Sequence, residues 1–495
     1  MGLRLRPVKV DTYRENIVFL RKDSELCRAQ GFAALSKVEV RLDSKSLVGV
    51  LNVIEEPFLA KGEVGLCEYA FQQLGVPAET EVQVRHLDPV RSVELIRRKI
   101  YGEVLDEKAY RAIVEDIVAN RYSKVEITAF VVGCAQGGMD RDEILYLARA
   151  MVSEGENLTW DGGMVVDKHC IGGIPGNRTT LIVVPIIAAY GMTIPKTSSR
   201  SITSPAGTAD TMEVLAEVNL SLEEMRAVVG RENGCLAWGG AFALSPADDI
   251  IISVERPLNL DSSAQMIASI LSKKSAAGAN HVLIDIPVGP LAKVTSYARA
   301  VQLRKLFEYV GEHMGMLVEV LMTDGTQPIG RGIGPALEVR DVLKVLANDP
   351  GAPMDLREKS LDLAGRIIDF DPKVKGGHGR RIAERILNSG EALEKMERIR
   401  RAQGTRSPRP PGSLTAEALS GFDGEVQALD NLKLAQCAKL AGAPMDAGAG
   451  LDLLKKVGDP VRAGEPLFRI HAEEQADMGY AWDYWQRHPE MVQVG

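Results

Sequence analysis

Over roughly the first 85 residues, apolar and polar positions alternate. Lys37-Val38-Glu39-Val40-Arg41-Leu42 and the run from Ser46 to Ile54 carry the two-residue period of half-buried strands. Gly65 to Gly75 then reads as a short helix ending at a glycine. From Val90 to Ser153 the period lengthens. Ala109 to Asn120, Lys124 to Gly133 and Arg141 to Ser153 repeat apolar residues at helical spacing and predict a bundle of amphipathic helices. Near Trp160 the texture changes again. A β-branched run (Met164-Val165-Val166) precedes a glycine-rich stretch, and Leu181 to Tyr190 is an apolar segment of helix length. A short strand over Met192 to Lys196, a hydroxyl-rich loop and a helix over Ala209 to Val218 follow, so two strand–loop–helix units stand in tandem. The strand-like runs His281 to Ile286 and Leu317 to Met322 extend the same sheet, and helices resume after Glu255 to Leu260 with Asp261 at a helix N-terminal position. Gly404 to Gly412 reads as a linker, and short strands around Gly464 to Ile470 mark an α+β C-terminal part.

These periods predict an α/β protein in four parts: a small β-rich N-terminal module over 1–85, and a helical domain over 86–158 joined by helices from about 255–275. A large α/β domain over 159–405 and an α+β C-terminal domain over 413–495 complete it. A chain of 495 residues exceeds the usual size of a single core. At 45% hydrophobic and 25% charged residues, the composition is that of a globular protein, and a net charge of −8 argues against a general nucleic-acid binder. Any anion site must be local. The six cysteines are scattered without a CxxC pair and the seven histidines show no HExxH spacing, so neither a disulfide framework nor a metal site is predicted. No apolar signal-peptide region follows Met1, and the segment Leu181 to Tyr190, interrupted by Pro185, is too short to span a bilayer. A cytoplasmic protein without membrane or nucleic-acid partners is expected.

The chemistry concentrates in the two loops. In Asp167-Lys168-His169-Cys170-Ile171-Gly172-Gly173-Ile174-Pro175-Gly176-Asn177-Arg178-Thr179-Thr180, a lysine and a histidine precede glycines at a strand-to-helix turn. Such a turn converges backbone N–H groups on an anion, and phosphate is the natural ligand. No Gly-Lys-Ser/Thr closes the loop, so it is not a Walker A motif. The second loop, Thr197 to Thr208, offers many hydroxyls and Arg200, a composition suited to phosphate and sugar oxygens. Serines and threonines also cap helices; two such loops in tandem favour the anion.

The motifs Asp167-Lys168-His169 with Gly172-Gly173, Ser198-Ser199-Arg200 with Gly207-Thr208-Ala209-Asp210, and Ser272-Lys273-Lys274-Ser275-Ala276-Ala277-Gly278 resemble those of a known family. So do Met322-Thr323-Asp324-Gly325-Thr326-Gln327-Pro328-Ile329-Gly330, Leu337-Glu338-Val339-Arg340 and Ala441 to Gly450. In this order, over nearly the whole chain, they resemble the thymidine/pyrimidine-nucleoside phosphorylase family, and most of all its longer branch of AMP phosphorylases and type 2 thymidine phosphorylases. The resemblance implies a nucleoside phosphorylase type II architecture, with a helical domain and a large α/β domain across a cleft that closes on substrate. It implies phosphorolysis without cofactor or metal, and a homodimer or larger homo-oligomer, for which the N-terminal module is a candidate mediator. Asp261 matches the proton donor of the AMP phosphorylase branch. Gly173, Ser199, Arg200, Ser201, Ile202, Thr203, Ser204, Thr208, Ser269 and Lys293 match its nucleotide-binding positions. His169 and Lys273 match residues lining the base and sugar pocket; Lys168 and Thr180 suit the phosphate. By position alone, Asp261 reads equally as a helix cap.

Two departures stand out. Cys170 occupies the place of a phosphate-contacting serine, and a thiol donates hydrogen bonds weakly. An arginine that grips the base carbonyl in the pyrimidine enzymes has no counterpart near Val254; the nearest is Arg256, followed by Pro257. The reading that results is phosphorolysis of nucleoside 5′-monophosphates, AMP foremost, to free base and ribose 1,5-bisphosphate. Thymidine phosphorylase is the alternative; a phosphoribosyltransferase and a non-catalytic nucleotide-binding assembly protein rank lower.

Overall fold

The computed structural model describes residues 2–495 except 13–14, 31, 56–57, 202–203, 243, 259 and 261, and except the side chains of 29, 30 and 256. The chain divides into two compact units, Met1–Gly155 with Ser245–Ser269, and Glu156–Leu244 with Ile270–Gly495.

In the first unit, strands Leu3–Val8, Glu63–Cys67, Ile17–Arg21, Lys45–Ile54, Lys37–Leu42 and Glu81–His86 close in that order into a barrel. The alternation predicts this. Val38 and Val40 point into a fully buried interior while Lys37, Glu39 and Arg41 do not. The expected helix over Gly65 to Gly75 is shorter: Gly65 to Cys67 finish a barrel strand, buried throughout, and the helix is Glu68–Leu74. Gly75 ends it in the left-handed conformation at φ 60°. The helices Val93–Ile100, Glu107–Val118, Lys124–Gly137 and Arg141–Ser153 follow, joined by Pro246–Leu258 from later in the chain. Capping boxes start two of them, Ser123 with Glu126 and Asp140 with Glu143. The stretch Glu255 to Leu258, expected to break the chain, is the last turn of Pro246–Leu258. Pro257 stands in that last turn, one residue before the helix ends.

In the second unit, Leu317–Asp324, His281–Val288 and Val166–Cys170 pair in parallel in that order. Ile194–Ser198 and Gly234–Trp238 form a parallel pair, joined to them by a parallel bridge between Val165 and Thr193. Helix Thr180–Tyr190 is buried along most of its length and packs against Met354–Ile368, Gly379–Asn388 and Glu391–Gln403. Two expectations shift here. The strand predicted over Met192 to Lys196 runs over Ile194–Ser198, and the helix predicted over Ala209 to Val218 is Thr208–Glu213. That helix stops early because the chain turns to pair with the segment after Gln403: Glu217 N–H bonds Gly404 O at 2.8 Å and Arg406 N–H bonds Leu215 O at 2.9 Å. The segment Gly404 to Gly412 is therefore tied down at several points; Gly412 N–H also bonds Gly448 O at 2.8 Å. Beyond it, one sheet orders Gly332–Ile333, Gly450–Leu453, Pro466–Ala472 and Leu414–Leu419. A second orders Pro460–Val461, Gly424–Leu429 and Val492–Val494. Helices Asn431–Leu440 and Gln475–Arg487 cover them. Among the described residues, no helix is long and apolar enough to cross a membrane.

Candidate active site

Lys168, Gly173, Thr180, Thr208 and Lys293 converge in the second unit. Strand Val166–Cys170 is flanked on one side by His281–Val288, with His169 beside Ile284 and Cys170 beside Asp285. This register carries Lys168 into the interior at 1% exposure. Its ammonium donates to Thr179 Oγ1 at 2.8 Å and, at a longer 3.5 Å, to Thr180 Oγ1. Burial pushes the Lys168 pKa below its ordinary value, against the pull of Asp285 and the Cys170 sulfur. Gly172 and Gly173 turn the chain at φ 89° and 96°, where side chains are strained. Gly173 also has no room: a Cβ there would lie 2.5 Å from the Lys293 backbone nitrogen. Cys170 sulfur accepts from Asn177 Nδ2 at 3.1 Å and from Gly172 N–H at 3.5 Å. Burial, with Asp285 beside it, pushes the thiol up to about 11, so it stays protonated at neutral pH.

The second loop is folded on itself by Asp210, which accepts from Ser201 N–H at 2.7 Å and Gly207 N–H at 2.8 Å. Gly207 is required, because a Cβ would meet Ser199 O and Ser201 N at 2.6 Å. Ser201 donates to Ser204 O and Ser204 to Ala206 O at 2.8 Å, so both hydroxyls are held by loop carbonyls; Ser199 is exposed. Arg200 is committed elsewhere than expected. Its guanidinium pairs with Glu213 (Nη2–Oε1 2.9 Å) and Asp210 (3.2 Å) and stacks on Trp238 at 4.9 Å. Two carboxylates neutralise a charge that the sequence reading offered to substrate. Ile202, Thr203 and Asp261 lie outside the described residues. Ser269 belongs to the first unit, half-buried on helix Ser263–Ala276; Lys273 belongs to the second.

Beneath the first loop is an ionic cluster not foreseen from the sequence. Asp167, 1% exposed, lies 2.7 Å from Lys274 Nζ and 3.2 Å from Lys196 Nζ. Burial alone would raise its pKa; the two ammonium groups overrule it and hold the carboxylate below its ordinary range. Burial brings Lys274 down to about 7. His169 is driven well below its ordinary 6.5, first by burial and then by Lys274, Lys196, Lys273 and Lys168. A neutral imidazole can donate one N–H to a base or sugar oxygen, but it is no imidazolium acid at neutral pH. The linkage has a definite sign. Because the folded pKa lies below 6.5, the unfolded chain takes up the proton first as pH falls, so stability is full above 6.5 and is lost towards the folded value. Melting temperature is expected to fall more steeply for the wild type than for His169→Gln between pH 7 and about 5; parallel curves would contradict a neutral, buried ring.

Thr179 and Arg178 were missed although they stand inside the quoted motif. The choice of Thr180 ignored which hydroxyl faces Lys168, which follows only from the pairing of strand and helix start. Asp285 was missed too. It sits fully buried on the neighbouring strand, accepting from Thr323 Oγ1 at 2.6 Å and ion-paired with Lys359 Nζ at 3.1 Å.

Residues 93–155 match the helical bundle domain of a glycosyl transferase family and 162–393 its α/β domain. Residues 425–487 match the pyrimidine nucleoside phosphorylase C-terminal domain. A protein of Methylococcus capsulatus described as "Putative thymidine phosphorylase" is 57% identical over 97% of this chain and 94% of its own length. Proteins with the same description from Albidiferax ferrireducens (53%, 97% and 93%) and Legionella pneumophila (48%, 100% and 96%) are also similar. The crystal structure of anthranilate phosphoribosyltransferase from Thermus thermophilus superposes with a TM-score of 0.51 at 18% identity, covering 62% of this chain and 98% of that one, a likeness of fold. With its helical, α/β and C-terminal segments all matched, and full-length relatives at such identity, the chain belongs to the thymidine/pyrimidine-nucleoside phosphorylase family of pentosyltransferases.

Proposed function

We propose that the protein catalyses phosphorolysis of pyrimidine nucleosides, thymidine foremost, giving thymine and 2-deoxyribose 1-phosphate. The observation that carries this reading is the buried Lys168 ammonium beside Thr179 in a glycine-lined loop, a site for one desolvated phosphate. A phosphate oxygen attacks the anomeric carbon, the bond to the base nitrogen breaks, and its electron pair leaves with the base, which takes up a proton. The neutral His169 N–H can hold a base oxygen. Asp261, matched to the family's proton donor, supplies the proton in this scheme, which requires its carboxyl to be protonated when the base leaves.

The order of substrates reverses the sequence expectation. The nucleotide reading followed from the missing arginine near Val254, with Arg200 counted among the nucleotide-binding positions. Arg200 is paired with Glu213 and Asp210. Relatives that align over the whole chain, barrel included, carry thymidine in their names. The departure at Val254 remains, since an aliphatic side chain buried at 6% exposure offers a base carbonyl no hydrogen bond. Base release from thymidine, AMP, CMP and UMP, each with and without inorganic phosphate and with EDTA throughout, tests the proposal. Phosphate-dependent release of thymine, with the monophosphates inert, is expected. Turnover of the monophosphates with thymidine inert would overturn it, and loss of activity in EDTA would favour a metal-dependent transferase.

A further inference from the structure

We propose that Arg178 is a positioning residue for the attacking phosphate: anchored by Glu338, it sets the Thr208 hydroxyl as a donor and joins the two loops into one site. The proposal rests on the phosphorolysis reading for its reaction, though not for its phosphate. Arg178 is 8% exposed, at the turn from the first loop into helix Thr180–Tyr190. Its Nε lies 2.5 Å from Glu338 Oε2, and its Nη1 donates to Thr208 Oγ1 at 3.1 Å. Glu338 is 1% exposed, in the first turn of helix Pro335–Leu346. It accepts from Thr211 Oγ1 at 3.1 Å and from Gly334 N–H at 3.3 Å. One ion pair thus fastens three segments: the first loop, the helix after the second loop, and the start of a third helix.

The chemistry follows from the hydroxyl. A threonine oxygen that accepts from a guanidinium keeps its single proton for another acceptor. On the first loop Lys168 donates to Thr179 at 2.8 Å, and that hydroxyl in turn donates to Asn177 Oδ1 at 3.5 Å. On the second loop the Thr208 hydroxyl is turned into a donor by a buried cation before the anion arrives. Burial pushes the Glu338 carboxyl up to about 7 against the pull of Arg178, so the pair holds the guanidinium in place while Lys168 supplies the first loop's own positive charge. The geometry sets two guanidinium nitrogens at once, Nε against Glu338 and Nη1 against Thr208, which an ammonium on a shorter stem cannot span.

The test compares Arg178→Lys, Arg178→Gln, Thr208→Val, Thr208→Ser and the double variant Arg178→Gln/Thr208→Val. Two readouts are taken: the inorganic phosphate concentration that half-maximally raises the melting temperature, and the KM values for phosphate and nucleoside. Arg178→Lys, Arg178→Gln and Thr208→Val are each expected to raise both phosphate values about ten-fold, the loss of one oriented donor, with the nucleoside KM nearly unchanged. Thr208→Ser should stay near wild type, and the double variant should be no worse than the worse single, because both remove one link. Thr208→Val leaves the ion pair intact, so the link is tested even if an Arg178 variant folds poorly. Unchanged phosphate values with a lowered melting temperature, full rescue by lysine, or losses that multiply in the double variant would each overturn the proposal. If the wild type binds phosphate and the variants behave as expected but no nucleoside is cleaved, the reaction reading fails and the role of Arg178 stands. A wild type that does not respond to phosphate overturns both.

Discussion

Lys168→Met is expected to lower kcat/KM for phosphate by about 10³-fold while leaving the nucleoside KM little changed. The ammonium is 1% exposed and donates to Thr179 at 2.8 Å, so its charge acts through a medium that screens it poorly. Removing it takes away the loop's fixed cation and the ammonium from which Thr179 accepts. Methionine has similar length and no charge, so the buried space stays filled and the fold should persist. Lys168→Arg should not restore activity, because a planar guanidinium does not fit a site closed around an ammonium. The pH dependence carries the same signature: burial lowers the lysine's pKa, so the alkaline loss of phosphate affinity should begin below the ordinary 10.5. Phosphate saturation at fixed, saturating nucleoside measures the effect; a loss under ten-fold would mean that another cation holds the anion.

Most of the fold was legible because its helices advertise themselves. Arg141–Ser153 is the predicted segment, and Thr180–Tyr190 differs by one residue. Apolar residues at helical spacing and a strong cap leave little choice. Strands were less legible where they carry charge. Val166–Cys170 includes Asp167, Lys168 and His169, which look like loop residues in a sequence. They form a strand because the sheet pairs their backbone with His281–Val288 and because two buried lysines answer the Asp167 charge. The helix after the second loop was overlong on paper, since the competing pairing of Glu217 with Arg406, 189 positions away, has no local signal.

The candidate site divides along the same line. Local features of the motif, Lys168 with its glycines and the turn at Gly207, were readable because each is a property of a short segment. Arg200 was misread as a substrate cation, since the carboxylates that take its charge, Asp210 and Glu213, sit on the next helix turn. Lys196, Lys274 and Asp285 were passed over for the opposite reason. Their partners come from other strands and helices, and nothing in the sequence separates a buried lysine from a solvated one.

Asp167→Asn should destabilise the second unit by about 3–5 kcal/mol at neutral pH, the usual cost of leaving a buried charge without its partner. The side chain is isosteric, so no cavity confounds the effect. Asp167 answers two ammonium groups at once, Lys274 at 2.7 Å and Lys196 at 3.2 Å, and also accepts the Lys168 N–H at 2.6 Å. Without the carboxylate, the lysines lose their protons more readily in the folded state than in the unfolded chain. Where the unfolded chain binds more protons, stability rises with pH. The deficit of the variant should therefore shrink as pH rises from about 7, where Lys274 already titrates in the wild type. Denaturant unfolding of both proteins across this range measures it. A deficit under about 1 kcal/mol, or one independent of pH, would mean that Asp167 does not hold the two lysines in their charged state. Lys196→Met deletes one of the two contacts, leaves one acid against one base and removes the unmatched charge, so it should cost far less than Asp167→Asn. The asymmetry between these two variants isolates what the cluster does. A single carboxylate keeps two lysines in place beside His169, and their charge adds to the burial that holds that ring neutral.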